Sequence, residues 1–206
     1  MSSVNAAEPQ TRMRSEDRRE LVLVAAMGVF GDYGYVGATT DQVAKAAGVS
    51  QPYVVRMFGT KEKLFLEVLH LALSTLITEF RAVLAEESEV ELHRRLGLAY
   101  FNLLRQHGLL LSLMHSFVLG SDPVIGAAAR SGFLELYSFL RDEAGFTSLE
   151  AQSFLADGML ANTMISLRMG DIADEDPRVN ELLEACFPEK LEIVLELGKL
   201  HRPATR

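Results

Sequence analysis

Six helix-start signatures divide this sequence into segments, and almost nothing in it is typical of a β-strand. In three of them, a hydroxyl residue stands three positions before a glutamine or a glutamate, the spacing of a capping box. These pairs are Thr39 with Gln42, Ser88 with Glu91, and Thr147 with Glu150. The other three are Asp122-Pro123, Asp176-Pro177 and Thr60. Between the signatures, apolar residues recur at spacings of three and four, so we expect an all-α fold.

The predicted helices fall into two groups along the chain. The pattern predicts about nine, at residues 16–33, 40–47, 51–57, 61–86, 89–106, 108–119, 123–144, 148–169 and 177–200, the last kinked or split at Pro188. The first three are joined by short links, and the later ones are longer. We therefore expect a flexible basic arm at 1–14, a three-helix domain at 15–60 and a larger helical domain at 61–206.

Composition limits the class of protein. Hydrophobic residues make up 49% of the chain, which is too many for a disordered protein. The single cysteine, Cys186, rules out an intramolecular disulfide and a multi-cysteine zinc site. No apolar run reaches the roughly 18 residues of a membrane span, and the polar N-terminus lacks the apolar stretch of a secretory signal. We expect a cytoplasmic protein with no membrane partner.

Charge is unevenly distributed along the chain. The formal net charge is −8, yet residues 1–63 hold eight Lys/Arg against seven acids, while residues 64–206 hold twelve against 21. Only the first part is suited to meet a polyanion, and the acidic remainder should face away from one. The cluster Arg12, Arg14, Arg18 and Arg19 is either a solvated tail or a contributor to such binding.

Residues 37–58 have the pattern of a helix-turn-helix. Small apolar residues Val43, Ala44 and Ala47 allow a second helix to approach closely. Gly48 stands just past the first helix, where a left-handed backbone is cheap only for glycine. Ser50 can cap the second helix, with Pro52 in its first turn. We expect three side chains of that second helix to point inward: Val54, Val55 and Phe58.

The opposite side of the second helix is left polar, aromatic and basic. It carries Gln51, Tyr53 and Arg56. A short helix with such a face fits the major groove of DNA, about 12 Å wide. Thr40 and Lys61 each lie in the first turn of a helix, where unpaired N–H groups attract phosphates. An acid would be electrostatically preferred at Lys61, which favours a phosphate contact there.

The stretch from about Glu20 to Phe65 resembles the N-terminal domain of the TetR/AcrR family of bacterial transcriptional regulators. The residues that carry the resemblance are Ala26, Phe30, Gly34-Tyr35, Thr39-Thr40, Val43-Ala44, Ala47-Gly48-Val49-Ser50, Phe58, Thr60-Lys61-Glu62 and Leu64-Phe65. The resemblance implies a regulator, expected to be a repressor, that binds a near-palindromic operator as a homodimer. It also implies release by a small apolar or amphipathic effector bound in the larger domain, and dimerisation through about 148–200.

By the same resemblance, phosphate contacts fall on Thr40, Ser50, Met57 and Lys61, and base contacts on Gln51, Pro52 and Tyr53. The sequence departs from the family at three positions. Val55 stands where tyrosine is usual, Met57 where tyrosine or histidine is frequent, and Pro52 where glycine is common. Tyr53 and Arg56 offer donors that can compensate on the outer face.

The larger domain is rich in phenylalanine and methionine, which suits an adaptable apolar pocket as well as an ordinary core. A few polar residues lie amid its apolar stretches and could orient an effector. The candidate pocket residues are Phe80, Phe101, Asn102, Met114, His115, Phe117, Phe133, Tyr137, Met159 and Asn162.

Two other classes of protein stay open as alternatives. A helical interaction or scaffold protein that does not bind DNA would keep the helix-turn-helix only for packing. An enzyme acting in the larger domain would need an acid–base or metal constellation, and the sequence contains no HExxH, no GxSxG and no glycine-rich phosphate loop. We expect no enzyme, no cofactor and no metal site.

Overall fold

The computed structural model describes residues 15–186, and this part of the chain contains nine α-helices and no β-strand. The helices are α1 (Ser15–Gly37), α2 (Thr40–Ala46), α3 (Gln51–Phe58), α4 (Lys61–Ala85), α5 (Leu92–Leu103), α6 (Leu109–Phe117), α7 (Ile125–Ser138), α8 (Ser148–Ser166) and α9 (Pro177–Cys186). The all-α prediction is confirmed. The expected arm at 1–14, the kink at Pro188 and the rest of the last predicted helix lie outside the described residues.

Local hydrogen bonds set several helix starts where the sequence predicts them. The Thr39 hydroxyl accepts from the Gln42 N–H, while the Gln42 side chain accepts from the Thr39 N–H, so the capping box is closed. Thr147 and Glu150 form the same box at the start of α8. Thr60 caps α4 with its hydroxyl, which accepts from an N–H three positions on. Each of these contacts joins residues three positions apart, which is why the sequence alone reveals them.

The predicted capping box at Ser88 is wrong. The Ser88 hydroxyl accepts from the N–H of Val90, 3.1 Å away, and not from that of Glu91. Such a turn between a serine and the residue two positions on competes with a helix start. As a result α5 begins at Leu92 rather than at residue 89.

The predicted helix at 123–144 starts later and is divided. The Asp122 carboxylate accepts from the N–H groups of Val124 and Ile125, at 2.9 and 2.8 Å, so it caps a helix that begins at Ile125. A π-helix, Phe139–Glu143, continues α7. A 3₁₀ turn, Met169–Ile172, likewise follows α8, which ends at Ser166 rather than at residue 169.

The long helix α4 is the centre of the core. Near its start, the Phe65 ring lies 4.7 Å from that of Phe30 on α1. Near its end, the Phe80 ring lies 5.9 Å from that of Phe139 and 5.7 Å from that of Phe154 on α8. The apolar core therefore continues across the boundary that the sequence predicts near residue 60.

One helix of the described residues, α4, is long and apolar enough to cross a membrane by length and composition, with a mean hydropathy of 1.5 over 18 residues. Buried core helices pass the same test. Its buried side chains are Leu64, Phe65, Val68, Leu69, Ala72, Leu73, Leu76, Ile77 and Phe80.

A glycine seam joins α1 to the start of α6. A Cβ on Gly31 would overlap the backbone of Gly108, so the two helices touch through their main chains. The Ser112 hydroxyl donates to the Met27 carbonyl at 3.1 Å, and the His115 Nε2 donates to the Gly31 carbonyl at 3.0 Å. The seam fixes the first three helices against the larger helical part.

Candidate nucleic-acid interface

The segment between α2 and α3 is a helix-turn-helix turn, as the sequence predicts. Gly48 has a φ of +64°, the left-handed conformation expected there. The Val49 N–H donates to the Ala44 carbonyl at 2.9 Å and closes the turn. Ser50 stands at the N-cap of α3, but its hydroxyl makes no capping hydrogen bond, so the predicted side-chain cap is wrong. Ser50 is exposed at the tip of the turn.

Helical geometry sorts the side chains of α3 into two faces. Val54 and Phe58 are four positions apart and are both buried. Val55 is rotated about 100° from Val54 and is 39% exposed, so the prediction that it points inward is wrong. Pro52 and Arg56 are also exposed, whereas Met57 packs partly against the core.

A hydrogen bond links the starts of the two helices. The Gln51 Nε2 donates to the Thr40 Oγ1 at 3.2 Å. Both residues are predicted DNA contacts, and both are half-buried. The bond orients the Gln51 amide before any ligand arrives, which reduces the entropy cost of a base contact.

Tyr53 lies beside two guanidinium groups. The Arg56 Cζ is 5.2 Å from the centre of the Tyr53 ring, and the Arg18 Cζ of α1 is 6.0 Å from it. Both distances allow a cation–π attraction. Sequence reasoning placed Arg18 only in a basic cluster near the N-terminus, because nothing local connects it to a residue 35 positions away.

Lys61 has protein partners of its own. Its Nζ donates to the carbonyls of Tyr35 and Ala38, at 2.8 and 3.1 Å, and lies 4.6 Å from the centre of the Tyr35 ring. The Val36 carbonyl is at 3.5 Å. Gly34 interrupts the helical backbone near the end of α1, with φ of +65° and ψ of 174°, and these carbonyls come after that interruption. Cations are favoured at such a helix end. The ammonium therefore ties the end of α1 to the start of α4.

Two other cations of the first three helices are neutralised by carboxylates. Lys45 pairs with Asp41 at 2.8 Å, and this carboxylate raises the pKa of Lys45. Arg19 pairs with Glu67, and its guanidinium lies over the Phe58 ring. Among residues 15–63, three cations have neither a carboxylate nor a carbonyl partner in the described part of the chain: Arg18, Arg56 and Lys63.

The predicted pocket residues differ in how deeply they are buried. Phe80 and Phe101 are buried in the core, while Asn102 and Phe133 are exposed. His115 belongs to the seam between α1 and α6. Four others are half-buried: Met114, Phe117, Tyr137 and Met159.

Asn162 has the character expected of a polar handle. It is buried, and its Oδ1 atom has no hydrogen-bond partner within the described residues. Sequence reasoning missed its neighbour Tyr100, which hydrogen-bonds the Asn162 side chain. Burial raises the pKa of Tyr100, and the bond from Asn162 opposes this only in part. A buried acceptor without a donor costs free energy that a ligand with a donor would recover.

A groove of about 620 Å³ lies elsewhere, beside α1. Its walls come from α1, α2, α4 and the link between α5 and α6, and include Val24, Leu71, Thr75 and His107. None of the ten predicted pocket residues lines it. In the described residues, no group of three or more His, Cys, Asp or Glu side chains is arranged to hold a metal ion.

The described residues are all helical and expose a helix-turn-helix in their first part, an arrangement typical of DNA-binding proteins. Comparison with known proteins agrees. Residues 22–68 match the family model of bacterial regulatory proteins, tetR family. Over these residues the chain is similar to the TetR family of bacterial regulators. The predicted resemblance is confirmed.

A curated relative matches the helix-turn-helix part of the chain. The HTH-type transcriptional activator FasR of Mycolicibacterium smegmatis is 38% identical over 73 residues, which are 35% of this chain and 33% of FasR. The match thus spans about a third of FasR.

Solved structures share the fold over most of the chain. PfmR, a TetR family regulator from Thermus thermophilus, has a TM-score of 0.54 at 22% identity, covering 94% of this chain and 99% of PfmR. The multidrug binding protein EbrR complexed with ethidium has a TM-score of 0.55 at 20% identity, covering 84% of this chain and 99% of EbrR.

Proposed function

We propose that this chain is a cytoplasmic transcriptional regulator that inserts α3 into the major groove of operator DNA. The observation that carries the proposal is the outer face of α3, where Tyr53 lies between two guanidiniums that no carboxylate of the described residues neutralises. Such a face offers both a base-reading side chain and positive charge for phosphates. Thr40, Ser50 and the first-turn N–H of Lys61 surround it at helix starts.

The regulator acts as a homodimer on a near-palindromic operator. An apolar stripe that runs along α8 to its C-cap, Leu167, supports this. Leu149, Leu160 and Leu167 are spaced by eleven and seven residues and are 74%, 43% and 65% exposed. At about 100° per residue, these spacings place all three on one side of the helix. A second copy would cover the stripe and set two α3 helices in successive major grooves, about 34–36 Å apart.

A small apolar or amphipathic effector bound in the larger domain alters DNA affinity. The unsatisfied Asn162 Oδ1 supports this and calls for an effector with a hydrogen-bond donor. EbrR, a protein of the same fold, is known in complex with ethidium. We expect repression, whereas FasR is an activator, so a promoter fusion assay decides the sign for this chain.

A selection of genome fragments by the purified protein tests the function. It should recover an operator whose binding weakens steeply with salt. Tyr53→Ala should lower the discrimination between this operator and base-substituted versions by about 1–3 kcal/mol per contacted base, measured by fluorescence anisotropy.

The matched control is Tyr33→Ala, because Tyr33 is an exposed tyrosine of α1 outside the helix-turn-helix. This variant should bind like the wild type. If the wild-type protein shows no salt-sensitive DNA affinity, the alternative of a helical interaction or scaffold protein replaces the proposal. If Tyr53→Ala discriminates between the operator and base-substituted duplexes as well as the wild type does, Tyr53 does not contact bases and the recognition face lies elsewhere.

A further inference from the structure

We infer that Arg18 of α1 is a phosphate-contacting residue of the DNA interface, working together with Arg56 across the ring of Tyr53. The inference rests on the proposed function and adds to the helix-turn-helix a residue that lies outside it. It also assigns different roles to two adjacent arginines, Arg18 and Arg19, which the sequence alone does not distinguish.

The two arginines have different partners because neighbouring side chains of a helix point about 100° apart. Arg19 forms an ion pair with Glu67 of α4 and covers the Phe58 ring. The carboxylate of Glu67 neutralises its charge, and these contacts join α1, α3 and α4. Arg18 has no carboxylate partner among the described residues and points toward α3 instead.

The placement of Arg18 determines what it would contact. When a recognition helix lies in the major groove, base edges are beneath it and the sugar–phosphate strands run along its flanks. Arg18 reaches the flank of α3 from a different helix, so it meets a strand and not a base. The Tyr53 ring restrains its guanidinium, which reduces the side-chain entropy cost of binding.

Electrostatics points to the same ligand. Arg18 and Arg56 place two positive charges near one aromatic ring, without a compensating acid in the described part of the chain. In the free protein these charges repel each other through solvent. A phosphate between or beside them replaces repulsion with two charge-assisted hydrogen bonds, which arginine forms with favourable geometry.

The test compares Arg18→Gln, Arg18→Lys and Arg19→Gln in full-length protein. Operator affinity is measured by anisotropy between about 50 and 200 mM salt, alongside a base-scrambled duplex. Removing one phosphate contact from each subunit of a dimer should make the slope of log affinity against log salt less steep by about 1.8. The loss of affinity between the lowest and the highest salt concentration should then be about tenfold smaller than for the wild type. Arg18→Gln should show this reduction equally on both duplexes, while Arg18→Lys should keep the wild-type slope.

Arg19→Gln is the matched control. It should lower the melting temperature, because it breaks the ion pair with Glu67, and leave the salt slope unchanged. A double variant with Tyr53→Leu should show that the Arg18 effect shrinks when the ring is absent.

The outcomes separate the inference from the proposed function. If the wild-type protein does not bind DNA, the proposed function fails. If it binds and Arg18→Gln keeps the wild-type slope, the inference about Arg18 is wrong while the function stands. A variant that loses discrimination among duplexes but keeps its slope would make Arg18 a base contact, which also overturns the inference.

Discussion

At the scale of single residues, the surroundings of Lys61 differ from those that its position in the sequence predicts. Lys61 looks from its position at a helix start like a phosphate ligand, yet its ammonium lies on the carbonyls of Tyr35 and Ala38. Its main-chain N–H lies in the first turn of α4, where unpaired N–H groups attract anions. We therefore expect Lys61 to support DNA binding mainly by holding α1 and α4 in position.

Replacement of Lys61 by methionine tests this role. Lys61→Met keeps most of the apolar stem and removes the two short hydrogen bonds, so it should lower the free energy of unfolding by about 1–3 kcal/mol. Thermal unfolding followed by circular dichroism measures the change. The salt slope of operator binding should stay close to that of the wild type. A slope reduced by one contact per subunit would instead mean that the ammonium leaves its carbonyls for a phosphate, as its place at a helix start predicts.

Among the helices, the contact between α1 and α6 decides how the DNA-binding part is attached. Glycines let the two backbones meet, and the hydrogen bonds of Ser112 and His115 reach carbonyls of α1. Because packed interiors do not deform continuously, a shift of α6 would be transmitted to α1. We therefore expect this seam to be the route by which an event in the larger part would reach α3.

Gly31→Ala should disrupt this seam. Its new Cβ would overlap the main chain of Gly108, which cannot move aside cheaply, so we expect a destabilisation of about 1–3 kcal/mol or more. The control is Gly37→Ala, whose Cβ would lie 3.6 Å from the Tyr33 Cβ, an ordinary contact. Gly37→Ala should unfold at nearly the wild-type temperature in calorimetry. Equal melting temperatures for both variants would show that the seam is not tightly packed.

In the molecule as a whole, we expect the acidic larger part and the exposed stripe on α8 to define how copies assemble. A single chain would leave Leu149, Leu160 and Leu167 in water, and burying them against a twin chain removes this apolar surface. In such a dimer, we expect the negative charge of residues 64–206 to lie on the side away from the DNA-binding helices.

Leu160→Glu should weaken the dimer, because it places a charge in the middle of the stripe. Sedimentation velocity at micromolar concentration should show a shift from dimer to monomer, and operator affinity should fall in parallel. Leu134→Glu is the matched control, since Leu134 is an exposed leucine of α7 outside the stripe. It should stay dimeric. A Leu160→Glu protein that remains dimeric would place the interface on another surface.

Features that depend on residues a few positions apart could be predicted from the sequence. The capping boxes at Thr39 and Thr147 and the left-handed Gly48 were predictable, because their hydrogen bonds and backbone angles are local. The family resemblance rests on the same local turn. Even here, Ser88 took a competing local partner.

The meeting of side chains from distant helices, in contrast, became known only from the folded chain. Packing placed Lys61 on the end of α1, separated Arg18 from Arg19, and paired the buried Asn162 with Tyr100. Periodicity could not predict whether Val55 is buried or exposed. Its side chain points about 100° away from that of its buried neighbour Val54, and only the packing of other helices decides whether that direction faces the core or the solvent. Local chemistry determines where helices start and turn. The surroundings of each side chain depend on how the helices pack, a property of the whole chain.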